Sequence, residues 1–337
     1  MKIILGKSNT GKSKYVYESI KDNINNNINS ILFVPSQSRA SSEVRFMDTL
    51  GVSGIIGVNI TTISEYISYL CKKINMHFDE NYISKLDKKI ILTKVITKNP
   101  SLFKVFKKVK SKQGFFDLLN IYMDIFRKED IDTNNISLNN KLLENKIKEI
   151  SRIYEKFNEE ITDKYIDNVD EVDLVLKNIC KIKELFKNTF VYFDGYNNFT
   201  NIEYKFIELL IKLGVNITIT LTTDISSLDD IYLDNTDEIF EVPNKTYKKL
   251  LKIASKTGNE KVDSVFFFDN HSNSDSAITY LADNVFKSNV KKFTQKQDAV
   301  YLNVYANMYK EIENVASKIN YYIRNNKRFK DFCIYTT

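Results

Sequence analysis

Eight residues near the amino terminus, Gly6-Lys7-Ser8-Asn9-Thr10-Gly11-Lys12-Ser13, carry the strongest chemical signal in the sequence. They satisfy the spacing G-x-x-x-x-G-K-S/T. There the glycines let consecutive backbone N–H groups turn inward on a phosphate, and the helix that follows offers its positive end. In such a loop Lys12 meets the β and γ phosphates and the Ser13 hydroxyl binds Mg²⁺, which points to ATP with Mg²⁺ as the ligand. The chain has only 9 glycines in 337 residues. Two at this offset arise by chance at fewer than about one position in a thousand, before the Lys and Ser are required. A strand-to-helix turn of no function is the plain alternative.

A phosphate loop of this type also needs a carboxylate at the end of a neighbouring strand to hold the water shell of the Mg²⁺. Asp194, closing the apolar run Phe190 to Asp194, is the candidate, although Asp194-Gly195 is equally a good turn dipeptide. Many helicase-type ATPases place next a Glu that acts as base for the attacking water; this sequence has Gly195. Removing a positioned base costs about 10² to 10⁴ in rate, so nucleotide binding with hydrolysis slow or absent is expected. Glu203, further along, is an alternative base.

Contacts to nucleic acid are less sharply drawn. Ser36 and Gln37, and Thr61 and Thr62, fall where strands of a parallel sheet end, the edge along which α/β proteins place ligands. Their hydroxyl and amide groups suit phosphates of a single strand, and they suit helix caps and turns equally well. Lys104, Lys107, Lys108, Lys110 and Lys112 form a basic run that is either a DNA-facing patch or a solvated face. The nearby Phe103, Phe106, Phe115 and Phe116 recur at helical spacing, which marks core.

The elements that must position these residues alternate. Strands are expected at 2–6, 30–35, 57–60, 190–194, 215–221 and 265–268, with amphipathic helices after them, the pattern of βαβ units and a parallel sheet. From 81 to 187 the periodicity is helical, with a single proline and a single glycine, so an inserted helical block interrupts the sheet. An acidic stretch follows Asp224. A last unit has strands expected at 299–305 and 332–335 around a helix. Ending a sheet-forming unit at its second strand suggests a truncated chain. With 43% apolar and 27% charged residues, a mild net charge of +6 and no long apolar run, a cytoplasmic protein without membrane anchorage is expected. Cys71, Cys180 and Cys333 are far apart, and His77 and His271 match no zinc spacing.

These residues resemble the B subunit family of the bacterial ATP-dependent helicase/deoxyribonuclease, AddB or RexB. The resemblance runs through Gly6 to Ser13, Ile31-Leu32-Phe33-Val34-Pro35-Ser36-Gln37, Thr62-Ile63-Ser64 and Tyr192 to Thr200 with Glu203. It continues through Thr218 to Asp224, then Ala306 to Arg324 and Phe329-Lys330-Asp331. It implies a P-loop NTPase of superfamily-1 helicase type: a RecA-like domain over 1–80 and 188–298, an inserted all-helical subdomain over 81–187, and the beginning of a second RecA-like domain over 299–337. It implies an A-subunit partner carrying the active motor, processing of double-strand DNA ends for recombination, and a nucleoid-associated setting. In it the B module is a degenerate helicase that helps engage single-stranded DNA. The family's nuclease and its iron–sulfur cysteines are expected beyond Thr337, so this piece should hold no cluster and cut no DNA. A DNA-stimulated motor, a P-loop kinase or transferase, and an interaction protein with a vestigial loop are the alternatives.

Overall fold

The computed structural model describes residues 1–73, 83–109, 112–129, 140–162, 164–165, 168–224, 238–258, 262–268, 275–285 and 290–335. The chain forms two compact units, Met1–Ser272 and Asn273–Thr337. His77, His271, Lys110 and most of the acidic stretch after Asp224 lie outside the described residues.

The first unit is built on six parallel strands: β1 (Lys2–Gly6), β2 (Asn29–Phe33), β3 (Val58–Thr61), β4 (Thr189–Phe193), β5 (Asn216–Thr222) and β6 (Asp263–Phe267), in the order β3-β2-β4-β5-β1-β6. Each expected strand of this unit is present within a residue or two. Because a parallel sheet is covered on both faces, its inner strands read as unbroken apolar runs. Ile3, Ile4 and Leu5 are all fully buried.

Alternation along the strands divides that core. Ile3, Leu5, Phe33, Val191, Phe193 and Ile219 face one side, where they meet helices α3 (Ile63–Lys73), α7 (Asn168–Lys177), α9 (Asn201–Lys212) and α10 (Glu241–Lys256). Ile4, Leu32, Val34 and Tyr192 face the other, against α1 (Lys12–Asn25) and α2 (Arg39–Leu50). Gly51, left-handed at φ 65°, ends α2.

Between β3 and β4 the chain is helical. Helices α4 (Lys85–Lys98), α5 (Gln113–Lys128) and α6 (Lys141–Ile161) enclose their own cluster, including Leu92, Val95, Phe103, Phe115, Leu119, Ile153 and Phe157. Phe103 and Phe115 are core, as their spacing indicates, and Phe106 and Phe116 pack against it. The end of the block behaves differently: α7 and α8 (Ile179–Lys183) send Val172, Val175 and Ile182 into the core of the sheet.

The second unit contains α11 (Ser276–Asn284) and α12 (Met308–Arg324), the latter started by Asn307, whose side chain accepts from the Lys310 N–H at 3.0 Å. The strands expected at 299–305 and 332–335 are not formed: both segments are irregular. A strand is held by ladder bonds to a neighbour, and an isolated pair of strands is marginal in water. Here no described segment pairs with either run, and Leu302, Val304 and Tyr335 are 93%, 89% and 92% exposed. This unit therefore does not show the start of a second sheet. Among the described residues no helix is long and apolar enough to cross a membrane.

Candidate functional site

The loop from Gly6 to Ser13 joins the end of β1 to the start of α1. Two left-handed residues shape it, Asn9 at φ 63° and Gly11 at φ 86°. Gly6 is required for a different reason, close approach. A Cβ there would lie 2.5 Å from the Phe267 carbonyl oxygen and 2.8 Å from Thr10 Oγ1. Gly11 is the N-cap of α1, so no side chain caps the helix, and the first turn has no acidic residue. The positive end of α1 is left for an external anion.

Lys12 lies back over the loop. Its ammonium donates to the Gly6 carbonyl at 2.7 Å, the Lys7 carbonyl at 2.5 Å and Thr10 Oγ1 at 3.4 Å. Thr10 Oγ1 in turn donates to the Lys7 carbonyl at 2.9 Å. Lys12 is only 8% exposed. Burial lowers its pKa to about 8, against the opposing pull of the Asp194 charge. Carbonyls of the loop itself thus satisfy the ammonium.

Asp194 follows β4, two residues after Tyr192, and alternation puts it on the α1 side of the sheet. It is 6% exposed, its N–H donates to the Phe33 carbonyl at 3.0 Å, and Thr220 Oγ1 donates to its carboxylate at 2.5 Å. β5, which carries Thr220, lies between β1 and β4, so the hydroxyl ties the Asp194 carboxylate to the strand that neighbours β1. The Asp194 charge, after burial, also helps push the Tyr17 hydroxyl up to about 12. Ser13 at the start of α1 and Asp194 supply a hydroxyl and a carboxylate, the hard oxygen donors Mg²⁺ takes. Gly195 is left-handed at φ 82°, a turn position.

A family described as "ADDB, N-terminal" matches residues 3–282. The chain belongs to this family. Proteins named as the B subunit of an ATP-dependent helicase/deoxyribonuclease are similar along its length. That of Clostridium kluyveri is 28% identical over 100% of this chain and 30% of its own. That of Alkaliphilus oremlandii is 25% identical over 99% and 30%, and that of Listeria monocytogenes 23% identical over 100% and 29%. The chain thus spans about three tenths of the curated relatives it matches.

In this AddB N-terminal chain the remaining candidates fall into four places. Ser36 and Gln37 are exposed on a short turn after β2. Thr61 and Thr62 instead serve α3. Thr62 Oγ1 accepts from the Glu65 N–H and the Glu65 carboxylate accepts from the Thr62 N–H, each at 3.2 Å, while Thr61 Oγ1 donates to Glu65 at 3.1 Å. Arg39 Nη1 closes the group on Glu65 at 2.6 Å. These bonds, working against partial burial, hold the Glu65 carboxyl below its usual range. Lys104, Lys107, Lys108 and Lys112 are exposed on the helical block. Glu203, the alternative base, accepts from the Thr200 N–H at 2.7 Å as the capping partner of α9.

Two features that matter to the site escape motif reading. Thr220 has one signal, a buried hydroxyl among the threonines that alternate with apolar residues along β5. Arg39 and Glu65 have another, the Thr62-x-x-Glu65 spacing of a capping box. Cys71 is buried and Cys333 exposed.

Proposed function

We propose that this chain is the nucleotide-binding, helicase-like module of a helicase–nuclease acting in DNA repair and recombination, and that it binds ATP and Mg²⁺ while hydrolysing weakly or not at all. The observation that carries the reading is an uncapped helix start in a full G-x-x-x-x-G-K-S loop, with a buried carboxylate on a nearby strand and the same face. Lys12 exchanges the Gly6 and Lys7 carbonyls for phosphate oxygens, Ser13 and Asp194 hold the metal, and Thr220 keeps Asp194 turned toward the loop. Bound there, Mg²⁺ would neutralise phosphate charge. Gly195, with no side chain, supplies no base, and Glu203 is committed to its cap, which supports slow turnover.

The family supports the wider setting: a RecA-like domain over 1–80 and 188–298 with an inserted helical subdomain over 81–187, residues 299–337 leading into a second such domain, and an A-subunit partner in the cytoplasm. Ser36 and Gln37, exposed along the carboxyl edge, support engagement of a single strand there.

The test is ATP binding and turnover by the purified chain, with and without single-stranded DNA, comparing wild type with Lys12→Ala. Loss of a charge-assisted bond costs about 1.5–3 kcal/mol, so the variant should bind ATP about 10- to 150-fold more weakly. Unchanged affinity would remove the phosphate-loop assignment. Turnover of several per second, stimulated by single strands, would make the module a motor.

A further inference from the structure

The helical block treats its lysines in two ways. Several are matched by carboxylates: Lys88 with Asp124 at 2.9 Å, Lys89 with Asp117 at 3.1 Å, Lys94 with Glu160 at 2.9 Å and Lys156 with Glu159 at 2.7 Å. Lys104, Lys107, Lys108 and Lys112 are exposed and make no ion pair among the described residues. Glu149 of α6, whose carboxylate reaches the backbone of this run, is 4% exposed and is used otherwise. It accepts from three successive backbone N–H groups, those of Lys104 at 3.0 Å, Val105 at 2.8 Å and Phe106 at 3.1 Å. One turn to either side of Glu149 on α6 stand Lys146 and Arg152, also without an ion pair among the described residues.

We propose that this surface is a preformed docking site for the phosphate backbone of a DNA duplex, with Glu149 as the positioning residue that fixes the turn presenting Lys104, Lys107 and Lys108. The proposal rests on the DNA-processing reading above and adds a second site, separate from the sheet edge. A buried carboxylate held by three N–H groups fixes a turn without neutralising the lysines around it. Polymer form follows from the aromatic rings. Single-strand sites stack bases on exposed aromatics. Here Phe103 and Phe115 are 4% and 8% exposed and Phe106 packs on Phe115, so the turn offers charge without a stacking platform. That suits binding to the backbone, independent of sequence.

The experiment is fluorescence anisotropy with a labelled duplex of arbitrary sequence, without nucleotide and over a series of salt concentrations. Omitting nucleotide separates its outcome from that of the phosphate-loop test. The variant Lys104→Ala/Lys107→Ala/Lys108→Ala changes only exposed side chains. It should lose affinity at least tenfold and flatten the slope of log affinity against log salt by nearly three, about 0.9 for each phosphate no longer neutralised. Glu149→Gln removes a negative charge beside the patch, so charge alone predicts tighter binding. Positioning predicts weaker binding, with the thermal melt reporting whether the fold persists. Unchanged duplex binding in the triple variant overturns the site. So does a single strand binding equally well through the same lysines, or displacement of the duplex by polyglutamate. Tighter binding by Glu149→Gln overturns the positioning role.

Discussion

Two turns at the same edge of one sheet, after β1 and after β3, begin helices in opposite ways. The turn after β3 serves its own helix: Thr62 and Glu65 cap α3 reciprocally, and Thr61 and Arg39 complete the set. The turn after β1 does not. Gly11 offers α1 no cap, and the cation at hand, Lys12, donates to carbonyls of the loop itself. Free N–H groups at a helix start must be met by something. Where the chain supplies a side chain the turn is structural, and where it withholds one and holds a lysine nearby, the turn suits a phosphate.

The largest expected effect comes from filling the space at Gly6. In Gly6→Ala the new methyl meets a backbone carbonyl at 2.5 Å, which a rotamer change cannot relieve. Overpacking of this kind costs about 1–3 kcal/mol. The melting temperature should fall by several degrees, and ATP affinity by more than stability alone explains, because the loop must shift away from Phe267. A variant that melts and binds as wild type does would show that β6 and the loop are not so closely apposed, and the two turns would then differ less than they do here.

A smaller effect, with the opposite pattern, is expected at the other turn. Thr62→Ala removes a cap worth about 1 kcal/mol. It should lower thermal stability while leaving ATP affinity unchanged. If single-strand binding fell much further than the melt accounts for, Thr62 would be serving a ligand as well as α3, and the contrast would fail.

Much of this contrast is legible in the sequence because it depends on local bonding. Gly6, Gly11, Lys12 and Ser13 act within one turn of chain, so their spacing carries the geometry. Thr62-x-x-Glu65 and Thr200-x-x-Glu203 are equally local, and both form capping boxes, so for Thr62 the cap is the one of its two readings that local spacing already carries, and Glu203 has a capping task of its own. The bond from Thr220 to Asp194 is different in kind. It joins residues 26 apart through a strand order in which β5 enters between β1 and β4, and no local pattern reports that order. The runs at 299–305 and 332–335 fail for a related reason. Their apolar, β-branched and aromatic residues have strand character, yet a strand needs a neighbour, and the neighbour is not encoded in the run itself.

The last contrast separates the turns along the pH scale. Lys12 in the free site gives up its proton at about 8, because burial disfavours the ammonium. A phosphate beside it favours the charged form, so in the bound state it keeps the proton to higher pH. ATP affinity should therefore hold steady from pH 7 toward 8 and weaken above, by about tenfold at pH 9, as binding comes to require uptake of a proton. Lys12→Ala should lose that dependence. At the β3 turn the sign reverses. The Glu65 carboxyl is held below its ordinary range, so its contribution to stability is present above the unfolded carboxylate pKa and is lost as pH falls through the lower folded value. Calorimetric titration of ATP from pH 7 to 9, beside thermal melts taken from pH 7 down into the carboxylate range, distinguishes the two. An affinity that stays flat to pH 9 in wild type would mean that Lys12 is not the group that meets the phosphate, and the difference between the turns would then rest on the glycines alone.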